Sequence, residues 1–161
     1  MEGKKTNKVF YIIIISFVLI ILFFNVFAYF GASIMLPGRE LAEIHGRDPL
    51  TSRRIEFDLS KGTAILNIWA TWCGACLAEM PELNKIAAKY KVYGAIKPAF
   101  KYEIYREIKP EFKSVIVPEE FFEDLYISVL PTTLIIQDGV IKKVHTGPIS
   151  VDFVEDWIDS L

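Results

Sequence analysis

The pattern of apolar and polar positions divides the chain into unequal parts. From Val9 to Leu36 there are 28 consecutive residues without a formal charge, and Tyr11 through Phe24 are almost entirely Ile, Leu, Val and Phe. A helix rising ~1.5 Å per residue crosses ~30 Å of hydrocarbon in about 20 residues, so this stretch is long enough to span a bilayer. It lacks the polar stripe of a helix that covers a water-soluble core. Pro37 to Ser52 then mixes charges with Gly46 and Pro49, shows no sustained period, and reads as a tether.

From Arg53 onward, short apolar runs alternate with helical spacing. Arg53 to Leu59 predicts a strand, Lys61-Gly62 a turn, and Ala64 to Ala70 a buried, mostly apolar strand. Leu77 to Tyr90 places Leu77, Met80, Leu83, Ile86 and Ala87 on one helical face. Lys91 to Ile96 predicts a strand, Ala99 to Ile108 a helix, Phe112 to Val117 a strand closed by Pro118, and Glu119 to Ser128 a short acidic helix. Thr132 to Gln137 and Val140 to His145 form a hairpin about Asp138-Gly139, and Ser150 to Leu161 a last amphipathic helix. This alternation predicts an α/β fold with a central mixed sheet flanked by about four helices. About 110 residues suffice for such a core.

Charge sharpens this picture. The 161 residues carry 18 Lys+Arg and 20 Asp+Glu. Beyond residue 36 there are 15 basic and 19 acidic side chains and no Lys/Arg run longer than a pair, which argues against a nucleic-acid-binding surface. Lys4, Lys5 and Lys8 precede the apolar stretch and place the N-terminus on the cytoplasmic side. The expected organisation is therefore a cytoplasmic N-terminus (1–8), a single-pass transmembrane signal anchor (9–36), a tether (37–52) and a domain (53–161) outside the cytoplasmic membrane. Val26-Phe27-Ala28 offers a small-residue cleavage site and with it the alternative of a removable signal peptide. The apolar core exceeds the ~7–15 residues usual for such peptides, which favours a retained anchor.

The only two cysteines, Cys73 and Cys76, lie between a buried strand and a helix. A cysteine at a helix N-terminus, in a pair with two residues between, can have a pKa of ~3.5–7.5 instead of ~8.5. Cys73 is the candidate nucleophile and the more exposed thiol; Cys76, one turn deeper, is the candidate resolving thiol. Half of a metal site and a pair of inert core cysteines are the competing readings. A structural zinc needs four ligands, and the chain adds only His45, His145 and carboxylates. The expectation is no metal and no cofactor beyond the cysteine pair.

At these residues the chain resembles the thioredoxin superfamily, specifically its membrane-anchored thiol-disulfide oxidoreductases of the TlpA/ResA type. Asn67-Ile68-Trp69-Ala70-Thr71-Trp72-Cys73-Gly74-Ala75-Cys76 is similar to the family's strand-to-active-site signature, Glu79-Met80-Pro81 to the following turn, and Leu130-Pro131-Thr132-Thr133 to its proline loop. The resemblance, over about residues 53–161, implies a thioredoxin-like fold with a four- or five-stranded sheet and a Cys73-Cys76 redox disulfide. It also implies a cis Leu130-Pro131 bond and substrate contacts at Trp72, Leu130 and Pro131.

Asn67 stands where thioredoxin has a buried Asp, so proton transfer at Cys76 would fall to Glu79, which otherwise reads as a solvated first-turn acid. The activity implied is reduction of disulfides in exported proteins such as apocytochrome c, with electrons from a membrane donor. Alternatives are a disulfide-forming oxidant using the same thiols and a copper-handling protein using them with His145.

Overall fold

The computed structural model describes residues 3–161; Met1 and Glu2, part of the segment expected on the cytoplasmic side, lie outside the described residues. Helix α1 spans Gly3–Met35. Within it, Lys8–Phe27 has a mean hydropathy of 2.9 and is not buried against the rest of the chain. By length and composition this helix can cross a membrane, where its backbone groups are satisfied internally.

The remaining elements are β1 (Glu43–Arg47), β2 (Arg54–Asp58), β3 (Thr63–Trp69), α2 (Gly74–Ala87), β4 (Val92–Ile96), α3 (Tyr102–Ile108), β5 (Lys113–Ile116), α4 (Glu120–Asp124), β6 (Thr132–Gln137), β7 (Val140–Thr146) and α5 (Val151–Asp159). The strands form one sheet in the order β2-β1-β5-β4-β3-β6-β7. β3, β4 and β5 are parallel and the outer pairs antiparallel, giving the expected mixed sheet with four flanking helices. Asp138 and Gly139 both take positive φ in the turn joining β6 to β7, as a tight hairpin with right-twisted strands requires.

Alternation along β3 sorts the core into two layers. Ala64, Leu66 and Ile68 face a cluster containing Leu36, Ile44 and Phe122. Ile65 and Trp69 face the opposite cluster, which includes Cys76, Met80 and Leu83 of α2 and Val154 of α5. Lys89 pairs with Glu155 at 2.5 Å, and Glu82 accepts the Val151 N–H at 3.3 Å, which fastens α5 to α2.

The segment 37–52 is not the tether its sequence suggests. Leu36 is fully buried, the Gly38 N–H donates to the Ile141 carbonyl at 2.7 Å, and the Leu41 N–H donates to that of Gly139 at 2.7 Å. Glu43–Arg47 is β1, paired along its length with β2. Its period is hidden because Ile44 is its only buried residue and the next inward position is Gly46. A Cβ on Gly46 would lie 2.1 Å from the Ile116 carbonyl oxygen, so β1 can cross β5 this closely only with glycine there. The β1–β2 hairpin brings the sheet to seven strands, beyond the four or five expected. Helix α4 is shorter than Glu119 to Ser128, because Tyr126 turns to φ 51° and the Ile127 N–H bonds back to the Phe122 carbonyl at 2.8 Å.

Candidate functional site

β3 delivers the chain to the end of the sheet at Trp69, and four residues later Cys73 caps α2. Its backbone is extended (φ −90°, ψ 105°), and its Sγ accepts the Cys76 N–H at 3.2 Å. That N–H belongs to the first helical turn, where donors lack helical partners and the helix dipole favours negative charge. Cys73 and Cys76 are joined as a disulfide with a Cα–Cα separation of 5.3 Å. Cys73 is 9% exposed and Cys76 fully buried. The order of exposure is the one expected, but Cys73 shows only an edge to solvent, because it joins the apolar cluster that holds Met80, Ile149 and Leu130. Buried Thr71 accepts the Lys101 N–H at 2.8 Å, tying the loop before the cysteines to the start of α3.

Two groups frame the disulfide. Trp72, directly before Cys73 in the chain, is 50% exposed, a large aromatic surface open to solvent. The Leu130-Pro131 peptide is cis, and Leu130 packs against the cluster containing both cysteines. The Pro131 carbonyl accepts the Gly147 N–H at 2.8 Å, which joins the proline loop to the connection between β7 and α5.

Glu79 is not a solvated first-turn acid. It lies in the second turn of α2 and is 4% exposed; Glu79-Met80-Pro81 is helix, not a turn. Its Oε1 accepts from Asn67 Nδ2 and its Oε2 from the Ile149 N–H, both at 3.0 Å. Asn67 Nδ2 also donates to Thr133 Oγ1 at 3.0 Å. Burial pushes the Glu79 carboxyl up to about 7, against the opposing effect of the Asn67 and Ile149 hydrogen bonds. Its three-residue offset from Cys76 puts the two on neighbouring positions of one helical face.

Asn67, Thr133 and Ile149 complete the site without having been singled out as site residues. Asn67 carried a signal, as the one amide in an otherwise apolar strand; the Ile149 N–H carried none, because a backbone donor has no residue type. His145 is the β7 register partner of Thr133. It packs at 4.5 Å, centroid to centroid, on Phe153 and at 6.1 Å on Trp157, in the cover of the sheet's other end strand.

The family model described as Thioredoxin matches residues 50–160. Thiol-disulfide oxidoreductase ResA of Halalkalibacterium halodurans is 30% identical over 123 residues, covering 70% of each chain. Thiol:disulfide interchange protein DsbE of Pseudomonas fluorescens is 42% identical over 59 residues, which cover 36% of this chain and 31% of that one. Among solved structures, a DsbF homologue from Corynebacterium diphtheriae superposes with a TM-score of 0.65 at 21% identity, covering 77% of this chain and 87% of the other. At that identity the superposition speaks for the fold alone.

Proposed function

The chain belongs to the thioredoxin family as a thiol-disulfide oxidoreductase of the ResA/DsbE type, and from that premise we propose that α1 anchors it in the cytoplasmic membrane and that its domain reduces disulfides of exported proteins such as apocytochrome c. In the dithiol form the Cys73 thiolate attacks one sulfur of the substrate disulfide. A mixed disulfide forms and the substrate's other sulfur leaves as a thiolate. Cys76 then loses its proton and attacks Cys73 Sγ, releasing the second substrate sulfur. The pair ends oxidised, the substrate has gained two electrons, and a membrane donor must return them.

The observation that carries this reading is the pairing of sulfurs of unequal exposure at the start of α2, with the Cys76 N–H directed at Cys73 Sγ. Glu79 supports it as the proton acceptor for Cys76, since a buried carboxyl near 7 can take or return a proton at neutral pH. Leu130 and Pro131 supply backbone against which an extended substrate segment can pair, with Trp72 covering its side chains. The dipeptide Gly74-Ala75 brings no histidine between the cysteines, which favours a reducing couple over an oxidising one.

Trapping tests the reading. A Cys76→Ser variant in its native host should accumulate mixed disulfides through Cys73 with exported thiol proteins; adducts absent there, or equally abundant in a Cys73→Ser variant, would contradict it. In the same cells, protease added to spheroplasts should remove the domain, and a protected domain would reverse the topology.

A further inference from the structure

A row of register partners crosses the sheet: Trp69 beside Ile96, Ile96 beside Ile116, Ile116 beside Arg47, and Arg47 beside Arg54. Register partners point to the same face, so both arginines share the α2 face and the sheet end from which the cysteine loop departs. At ~4.8 Å per strand, Arg47 stands ~14 Å from Trp69. The loop leaving β4, the first strand between them, brings Lys101 to Thr71 of the cysteine loop.

The two arginines are exposed and directly opposite each other, an arrangement that costs stability in a strand pair. Among the described residues neither has a carboxylate within ion-pair distance. The hairpin's other like-charged rung, Glu43 opposite Asp58, is compensated. Ser60 donates to the Asp58 carboxylate at 2.8 Å, and Lys91 and Lys61 lie close enough to favour its charge. The basic rung has no ion pair among the described residues, and the nearest acid on its face of the hairpin is Glu56, one rung along. His45, Arg47, Ser52 and Arg54 line an open cleft of about 730 Å³ over Ile116 and Val117. Three of the chain's five arginines fall within residues 47–54, in a part of the chain that is otherwise acidic in balance.

We propose that this cleft docks an extended acidic segment of the protein whose disulfide is exchanged, a reading that rests on the thiol-disulfide activity above. Paired guanidinium groups bind carboxylates in bidentate fashion. An extended chain advances ~3.4 Å per residue, so the acidic side chains should lie about four to six residues from the substrate cysteine.

The test uses the reduced full chain in phosphatidylcholine nanodiscs with two disulfide peptides, one carrying Glu and Asp five residues from its cysteine and the other Gln and Asn. The acidic peptide should be reduced with about tenfold higher kcat/KM at low salt, a preference that shrinks as salt rises. The Arg47→Gln/Arg54→Gln variant should lose the preference and Arg47→Lys/Arg54→Lys should keep most of it, while reduction of uncharged hydroxyethyl disulfide stays unchanged in both. Equal rates for the two peptides, or a preference that survives in the Gln variant, would overturn the proposal. So would an effect of the arginines confined to nanodiscs containing phosphatidylglycerol, which would assign the cleft to lipid headgroups. If the wild-type chain fails to reduce hydroxyethyl disulfide, the exchange chemistry falls and the docking site with it; normal turnover there without peptide preference removes the docking site alone.

Discussion

Asn67 Nδ2 lies 3.0 Å from Glu79 Oε1 and donates to it, linking the strand that delivers the cysteine loop to the helix that the cysteines begin. The same amide nitrogen donates to Thr133 of β6, and the other carboxylate oxygen is held by the Ile149 N–H. One buried carboxyl thus joins α2 to β3 and to the loop before α5. Through Gly147 that loop also holds the Pro131 carbonyl, so the buried carboxyl one helical turn from Cys76 shares a framework with the proline loop.

Glu79 should make stability depend on pH. Its folded value of about 7 is raised above the ordinary 4.5, so its contribution is complete below about 4.5, where both folded and unfolded chains hold the proton. As pH rises through that window the unfolded chain ionises first, and stability falls by up to ~1.4 kcal/mol per pH unit until about 7. Glu79→Gln lacks this slope. Urea unfolding of the oxidised protein from pH 4.5 to 8 should show the variant gaining on the wild type as pH increases; parallel profiles would place the Glu79 carboxyl at its ordinary value.

Asn67→Ala removes one of two donors to the Glu79 carboxyl and leaves an acceptor unpaired in the interior. The change should cost ~1–3 kcal/mol at neutral pH and move the Glu79 titration further upward. Carbon-detected NMR of the Glu79 carboxyl reads the titration directly. A titration that stays put would mean that Asn67 only fills space.

On the proposed mechanism, a Glu79 carboxylate one helical turn from Cys76 disfavours a second negative charge there in the dithiol form. Glu79→Gln should therefore lower the Cys76 pKa and change the pH dependence of the reduction potential, with little change in Cys73 alkylation at neutral pH. An unaltered potential-pH profile would relieve Glu79 of its role in proton transfer.

The parts of this fold with strong periodicity were legible in the sequence. Tyr11 to Phe24 announce a long apolar helix by their near lack of polar positions, Leu77 to Ala87 a helix by their spacing, and Asp138-Gly139 a hairpin by its turn chemistry. Of the β1–β2 hairpin only β2 was legible, because β1 buries Ile44 alone and uses Gly46 where an apolar residue would have shown the pattern. The cysteine pair stood out by its position between strand and helix. The burial of Glu79 did not, because its partners come from β3 and from a backbone N–H 70 residues further along the chain.

Trp72 presents half its surface to solvent next to Cys73 and holds little of the core together. Trp72→Ala should shift stability by less than ~0.5 kcal/mol, as surface substitutions usually do, while raising KM severalfold for a protein disulfide and leaving hydroxyethyl disulfide reduction nearly unchanged. Equal losses on both substrates would show that Trp72 serves the cysteines and not the substrate.

Redox equilibration of the Cys73-Cys76 couple against glutathione at pH 7, followed by alkylation and mass measurement, tests the central claim most directly. A reductant of exported proteins should have a midpoint well below about −180 mV, the range of disulfide isomerases. A midpoint above about −180 mV would contradict the account and make the protein a disulfide-forming oxidant.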